Sequence, residues 1–140
     1  MVLDTSALLA ILQDEPERRS FNERIEEAAS RVLSAATYVE TSIVLECRAG
    51  AEALHDLDVF LHRAGIDVVP VDTEQALVAR RAYSRFGKGR HAAGLNYGDC
   101  FAYALAHVNG EPLLYKGDDF GKTDVTPAIG ASEGSAIEPL

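Results

Sequence analysis

The sequence predicts an α/β fold, with a mostly parallel sheet covered by helices on both faces. Short apolar runs rich in β-branched residues alternate with longer segments of helical periodicity. No tight two-residue turn joins two neighbouring runs, so the strands must be linked by crossovers, which favours parallel pairing. Apolar residues are 47% of a 140-residue chain, enough to fill one core.

Met1-Val2-Leu3 is an apolar run halted by Asp4-Thr5-Ser6, and Ala7 to Leu12 follows without a charge. That order reads as strand, polar turn and helix packed back on the sheet. Asp14-Glu15-Pro16-Glu17 is a break, with Pro16 suited to a first helical turn. Residues 17–29 carry Phe21, Ile25 and Ala28 or Ala29 at helical spacing, an amphipathic surface helix. Val32-Leu33 marks a second strand. From Ala35 to Gly50 a helix is expected, with Val39, Ile43, Val44 and Cys47 recurring at helical spacing. Residues 51–64 form another, ended by Gly65, with Leu54, Leu57, Phe60 and Leu61 on one face. Ile66 to Val71 is a third strand, and Thr73 opens a helix to about Phe86. Residues 87–94 are a glycine-rich basic loop. Asn96-Tyr97-Gly98-Asp99 opens an apolar helix that Asn109-Gly110 stops, and Pro112 to Tyr115 is a fourth strand. Past the turn at 116–121, at most one short edge strand is expected, near 125–129. A frayed tail after about residue 128 completes a single domain spanning 1–140.

The net charge is −9, from 13 basic and 22 acidic residues, which disfavours binding to nucleic acid through a generally basic surface. Two routes around that remain: carboxylates gathered around a cation, or a local basic patch. No run approaches the length of a membrane span and no secretory leader is visible, so a cytoplasmic location is expected. Cys47 and Cys100 form no disulfide framework and are expected as buried reduced thiols.

Four acidic positions stand out: Asp4, Glu40, Asp99 and the pair Asp118-Asp119. Asp4 and Asp118-Asp119 follow strands, whereas Glu40 and Asp99 lie near helix starts. In a parallel sheet these places share one edge, where ligands bind. Clustered carboxylates oppose each other's ionisation, and a hard cation such as Mg²⁺ or Mn²⁺ relieves this while binding phosphate. Each residue also has a structural reading. Asp4 can cap a helix, 37–40 and 96–99 fit capping boxes, and Asp118-Asp119 can be turn residues. Arg80, Arg81, Arg85, Lys88 and Arg90 hold five of the thirteen Lys and Arg residues in one helix end and loop leading to Asp99. They suit a phosphate backbone, or simply a solvated helix face. No phosphate-binding loop, nucleophile elbow or zinc spacing is present. A phosphatase with Asp4 as nucleophile would need a second Asp where Ser6 stands.

Val2-Leu3-Asp4-Thr5-Ser6-Ala7-Leu8, Glu40, Leu95-Asn96-Tyr97-Gly98-Asp99-Cys100-Phe101-Ala102-Tyr103-Ala104 and Leu113-Leu114-Tyr115-Lys116-Gly117-Asp118-Asp119-Phe120 together resemble a PIN domain. More narrowly they resemble the VapC toxins of bacterial type II toxin–antitoxin systems, from Met1 to about Asp124. The resemblance implies a three-layer α/β/α fold with a five-stranded parallel sheet, and Mg²⁺- or Mn²⁺-dependent endoribonuclease activity on RNA such as tRNA. It carries the acidic set onto Asp4, Glu40 and Asp99, with Asp4 and Asp99 as the main metal ligands. Asp118 is favoured as the fourth member and Asp119 is its alternative. Thr5 or Ser6 matches a hydroxyl that orients the first carboxylate. A homodimer and a covering VapB-type antitoxin are implied as well. The competing reading is an inactive PIN-like binding module.

Overall fold

The computed structural model describes residues 1–129, and the expected frayed tail lies mostly outside them. In chain order the elements are β1 (Val2–Leu3), α1 (Thr5–Leu12), α2 (Arg18–Glu27), β2 (Val32–Ser34), α3 (Ala35–Ala49), α4 (Glu52–Ala64), β3 (Asp67–Val69), α5 (Thr73–Phe86), α6 (Tyr97–Asn109) and β4 (Leu113–Leu114). A 3-10 turn at Phe120–Lys122 follows. The sheet order is β3-β2-β1-β4, and every pairing is parallel.

The sheet has four strands among the described residues, where five were expected. In place of the fifth, Pro127 makes a single parallel bridge to Leu113. Leu113 donates to the Thr126 carbonyl, and Ala128 donates back to Leu113, both at 2.9 Å. β4 is only two residues long, so it offers little ladder to extend. Pro127, with no N–H of its own, has nothing to donate to a further strand and blunts this edge.

Alternation along the strands divides the core. Leu3, Leu33 and Leu114 face the layer built by α1 to α4, joining Leu8, Ile11, Phe21, Leu57 and Leu61. Val2 and Leu113 face the other layer with Val78, Phe86, Leu95, Tyr103 and Leu105 of α5, α6 and the loop between them. This is the three-layer arrangement the resemblance implies. The chain winds from β1 outward to β2 and β3, then returns to place β4 on the other side of β1. The topological switch point therefore lies between β1 and β4, at the carboxyl edge.

Three local expectations change. Ser34, not Thr37, caps α3: its side chain accepts from the Ala36 N–H, so the helix starts at Ala35 and no capping box forms at 37–40. The inward face of α3 is Thr37, Thr41 and Leu45, while Val39 and Ile43 remain 54% and 58% exposed. Cys47 is exposed rather than buried, whereas Cys100 is buried and both are free thiols.

Candidate active site

Asp4 leaves β1 at the carboxyl edge and caps α1, with extended backbone at φ −93° and ψ 160°. It is only 3% exposed. Its Oδ2 accepts from the Ser6 N–H at 3.0 Å and the Ser6 hydroxyl at 2.6 Å. Ser6 Oγ in turn accepts from the Lys116 N–H at 2.9 Å, which ties the end of β4 to the first carboxylate. Asp4 Oδ1 is buried with no hydrogen-bond partner. A buried carboxylate oxygen left unpaired is costly unless something else binds it.

Glu40 approaches from α3. Its Oε1 accepts from the Thr5 hydroxyl at 2.6 Å. The carboxylate rests against Gly98 in the first turn of α6, where an added Cβ would overlap it. Gly98 has no unusual φ, so its role is to leave room.

Asp99 is half-buried at the third position of α6. Its Oδ2 accepts from the Asn96 N–H at 3.0 Å, and Asn96 Oδ1 accepts from the Asp99 N–H at 2.9 Å, closing a capping box. The structural reading of this residue is therefore correct, and it leaves one oxygen over for other use.

Burial lifts the Asp4 carboxyl to about 7. The Ser6 hydrogen bonds oppose this, and the negative charges of Asp99 and Glu40 reinforce it. Burial likewise lifts Asp99 to about 6, opposed by the Asn96 N–H and reinforced by Glu40 and Asp119. One electrostatic neighbourhood thus joins Asp4, Glu40, Asp99 and Asp119. Burial raises the Tyr115 phenol, and the charge of Asp118 reinforces this. Among the described residues, no three His, Cys, Asp or Glu side chains form a ready-made metal cage. Thr5 and the capping box hold Glu40 and Asp99 on their own partners. Asp4 Oδ1 nevertheless gives a hard cation an unpaired oxygen in a field of carboxylates, so the donor set fits Mg²⁺ or Mn²⁺.

A pH dependence follows. Folded Asp4 and Asp99 bind protons more tightly than unfolded carboxylates do. The metal-free protein should therefore lose stability as pH rises from about 4 to about 7, on the order of a few kcal/mol, and level off above. Thermal melts in chelator at pH 5 and pH 8 check this; equal or higher stability at pH 8 contradicts it.

The basic residues are all exposed, but the fold divides them. Arg80 and Lys88 line a groove of about 550 Å³ between α5 and α6, with Tyr83, Asn96, Tyr97 and Phe101. Arg81 and Arg85 border the opposite flank of α5 beside Tyr103 and His107. Arg85 pairs with Asp124 at 3.5 Å and lies 4.6 Å over Phe86. Arg90 lies 5.9 Å from the Tyr83 ring. Only Arg80 and Lys88 border the groove that reaches the start of α6.

Sequence reasoning missed Gly98 and Thr41. A glycine inside a helix's first turn, where glycine has poor propensity, was a usable signal for a close approach. Nothing in the pattern singled out Thr41.

The PIN domain family model matches residues 1–125. The chain is 53% identical over 125 residues to ribonuclease VapC30 of Mycobacterium tuberculosis, covering 89% of this chain and 95% of that protein. It is 55% identical over 125 residues to ribonuclease VapC of Mycolicibacterium smegmatis, covering 89% and 97%. It is also similar in fold to the crystal structure of Mycobacterium tuberculosis VapC20, described as a sarcin–ricin loop cleaving toxin. There the TM-score is 0.69 at 17% identity, over 90% of this chain and 98% of that one.

Proposed function

Since the chain belongs to the PIN domain family, we propose that it is the toxin of a type II toxin–antitoxin pair, acting as a metal-dependent endoribonuclease. The observation that carries the site assignment is the buried, unpaired Oδ1 of Asp4 within the field of Asp99 and Glu40. We read residues 1–140 as one domain organised around that atom.

Asp4 Oδ1 and the Asp99 oxygen outside the capping box would hold Mg²⁺ or Mn²⁺. When bound, such an ion supplies Lewis acidity and positive charge at the scissile phosphodiester. Ser6 fixes the orientation of Asp4 by bonding the other oxygen. Glu40, anchored through Oε1, keeps Oε2 to orient the attacking water and take its proton. Asp119 takes the fourth acidic place instead of the favoured Asp118, because its charge reaches Asp99. Arg80 and Lys88 would steer the RNA backbone toward the carboxylates, with Arg81, Arg85 and Arg90 more distant.

The partners proposed are RNA, tRNA among the candidates, and a VapB-type antitoxin covering the acidic edge. A homodimer would use the exposed apolar face of Val39 and Ile43 on α3 with Tyr97 on α6, which is 79% exposed. Among the described residues no helix is long and apolar enough to cross a membrane.

The test is cleavage of total RNA by purified protein in Mg²⁺, in Mn²⁺ and in chelator. Discrete cuts are expected with metal and none with chelator. No cuts together with no Mn²⁺ binding by calorimetry would overturn the assignment in favour of an inactive binding module.

A further inference from the structure

Thr41 of α3 is fully buried, and its hydroxyl lies 3.0 Å from the Thr5 hydroxyl. Thr5 lies 2.6 Å from Glu40 Oε1. The direction of this chain is fixed by chemistry. An ionised carboxylate only accepts, so the single Thr5 proton goes to Glu40. The Thr41 proton must then go to Thr5. Three side chains from two helices thus form a one-way chain ending on the carboxylate, and Glu40 and Thr41 are neighbours on α3 clasping Thr5 between them. Hydrogen bonds in series polarise one another, most strongly where water is excluded. Threonine is also a poor choice for the buried middle of a helix, where an aliphatic residue would pack without a polar group to satisfy. Leu45 fills the next inward position on the same face.

We propose that Thr41 is a positioning residue for the ribonuclease reaction. Acting through Thr5, it holds the Glu40 carboxylate in place against Gly98. The inference rests on the nuclease reading, and its test separates the two.

Thr41→Val, Thr41→Ser, Thr5→Val and the Thr5→Val/Thr41→Val double variant are compared in kcat and KM for RNA cleavage, in the Glu40 carboxyl ¹³C resonance and in thermal melting. Thr41→Val is expected to lower kcat about tenfold with KM unchanged, and to displace the Glu40 resonance in the direction that Thr5→Val does. Thr41→Ser should restore both, and Thr41→Val should add nothing in the Thr5→Val background. Wild-type kcat and resonance in Thr41→Val would overturn the proposal. So would losses that multiply in the double variant, or failure of serine to rescue. If Thr41→Val does not fold, Thr41→Ala takes its place. If the wild type cuts no RNA, Mn²⁺ binding decides the nuclease reading and the resonance alone decides whether Thr41 holds Glu40: displaced, the hydrogen-bonded chain stands; unmoved, it falls.

Discussion

Asp99→Asn is expected to lower metal-dependent RNA cleavage by about 10²–10³-fold or more while leaving the fold intact. The separation arises because Asp99 has two roles on different oxygens. One accepts from the Asn96 N–H in the capping box. An asparagine amide oxygen can still accept that bond, so α6 keeps its start. What disappears is a negative charge, and a neutral amide holds a hard cation more weakly. The same change removes a carboxyl whose ionisation burial opposes. Metal-free Asp99→Asn should therefore melt at or above the wild-type temperature at pH 8, where the wild type carries its repelling carboxylates. Added Mn²⁺ should raise the wild-type melting temperature and leave the variant's nearly unchanged. Cleavage rates and melts with and without Mn²⁺ check all three statements; a well-folded variant cutting at wild-type rate refutes the assignment of Asp99.

Gly98→Ala should reduce cleavage at least tenfold, against what helix propensity alone would suggest. Alanine is favoured over glycine in a helix by roughly 1 kcal/mol, so a stability argument confined to α6 expects improvement. The added methyl, however, would overlap the Glu40 carboxylate. Either Glu40 leaves its bond to Thr5, or the first turn of α6 lifts and carries Asp99 with it. Both displace a carboxylate by a distance that positioned catalysis does not tolerate. The check is cleavage rate and melting temperature on one preparation. A variant as active as the wild type would mean that Glu40 has room to move without consequence.

The layers were legible because they rest on apolar periodicity. Each helix expected from spacing is present, and four of the five expected strands pair in one parallel sheet among the described residues. Asp4, Glu40 and Asp99 could be singled out because strand ends and helix starts in such a sheet share an edge. The resemblance favours Asp118, directly after Lys116-Gly117, over its neighbour Asp119, whereas the charge felt at Asp99 is that of Asp119. On α3 periodicity misled: Val39 and Ile43 form the apolar stripe, yet the helix turns Thr37 and Thr41 inward. The inward positions there serve hydrogen bonding at the site, which a search for apolar faces overlooks. The basic strip read as one feature in sequence, and helix geometry divided it between two flanks of α5.

The placement of β4 beside β1 has a consequence for the order of events during synthesis. Asp4 is synthesised well before the strand that flanks it, the Lys116 N–H that fixes Ser6, and Asp119. Pairing between segments so distant closes a long loop, a slow and late step in folding. An incomplete chain ending before Leu113 lacks β1's second neighbour and the anchor that orients its first carboxylate. The acidic edge is therefore complete only once the last strand docks beside the first.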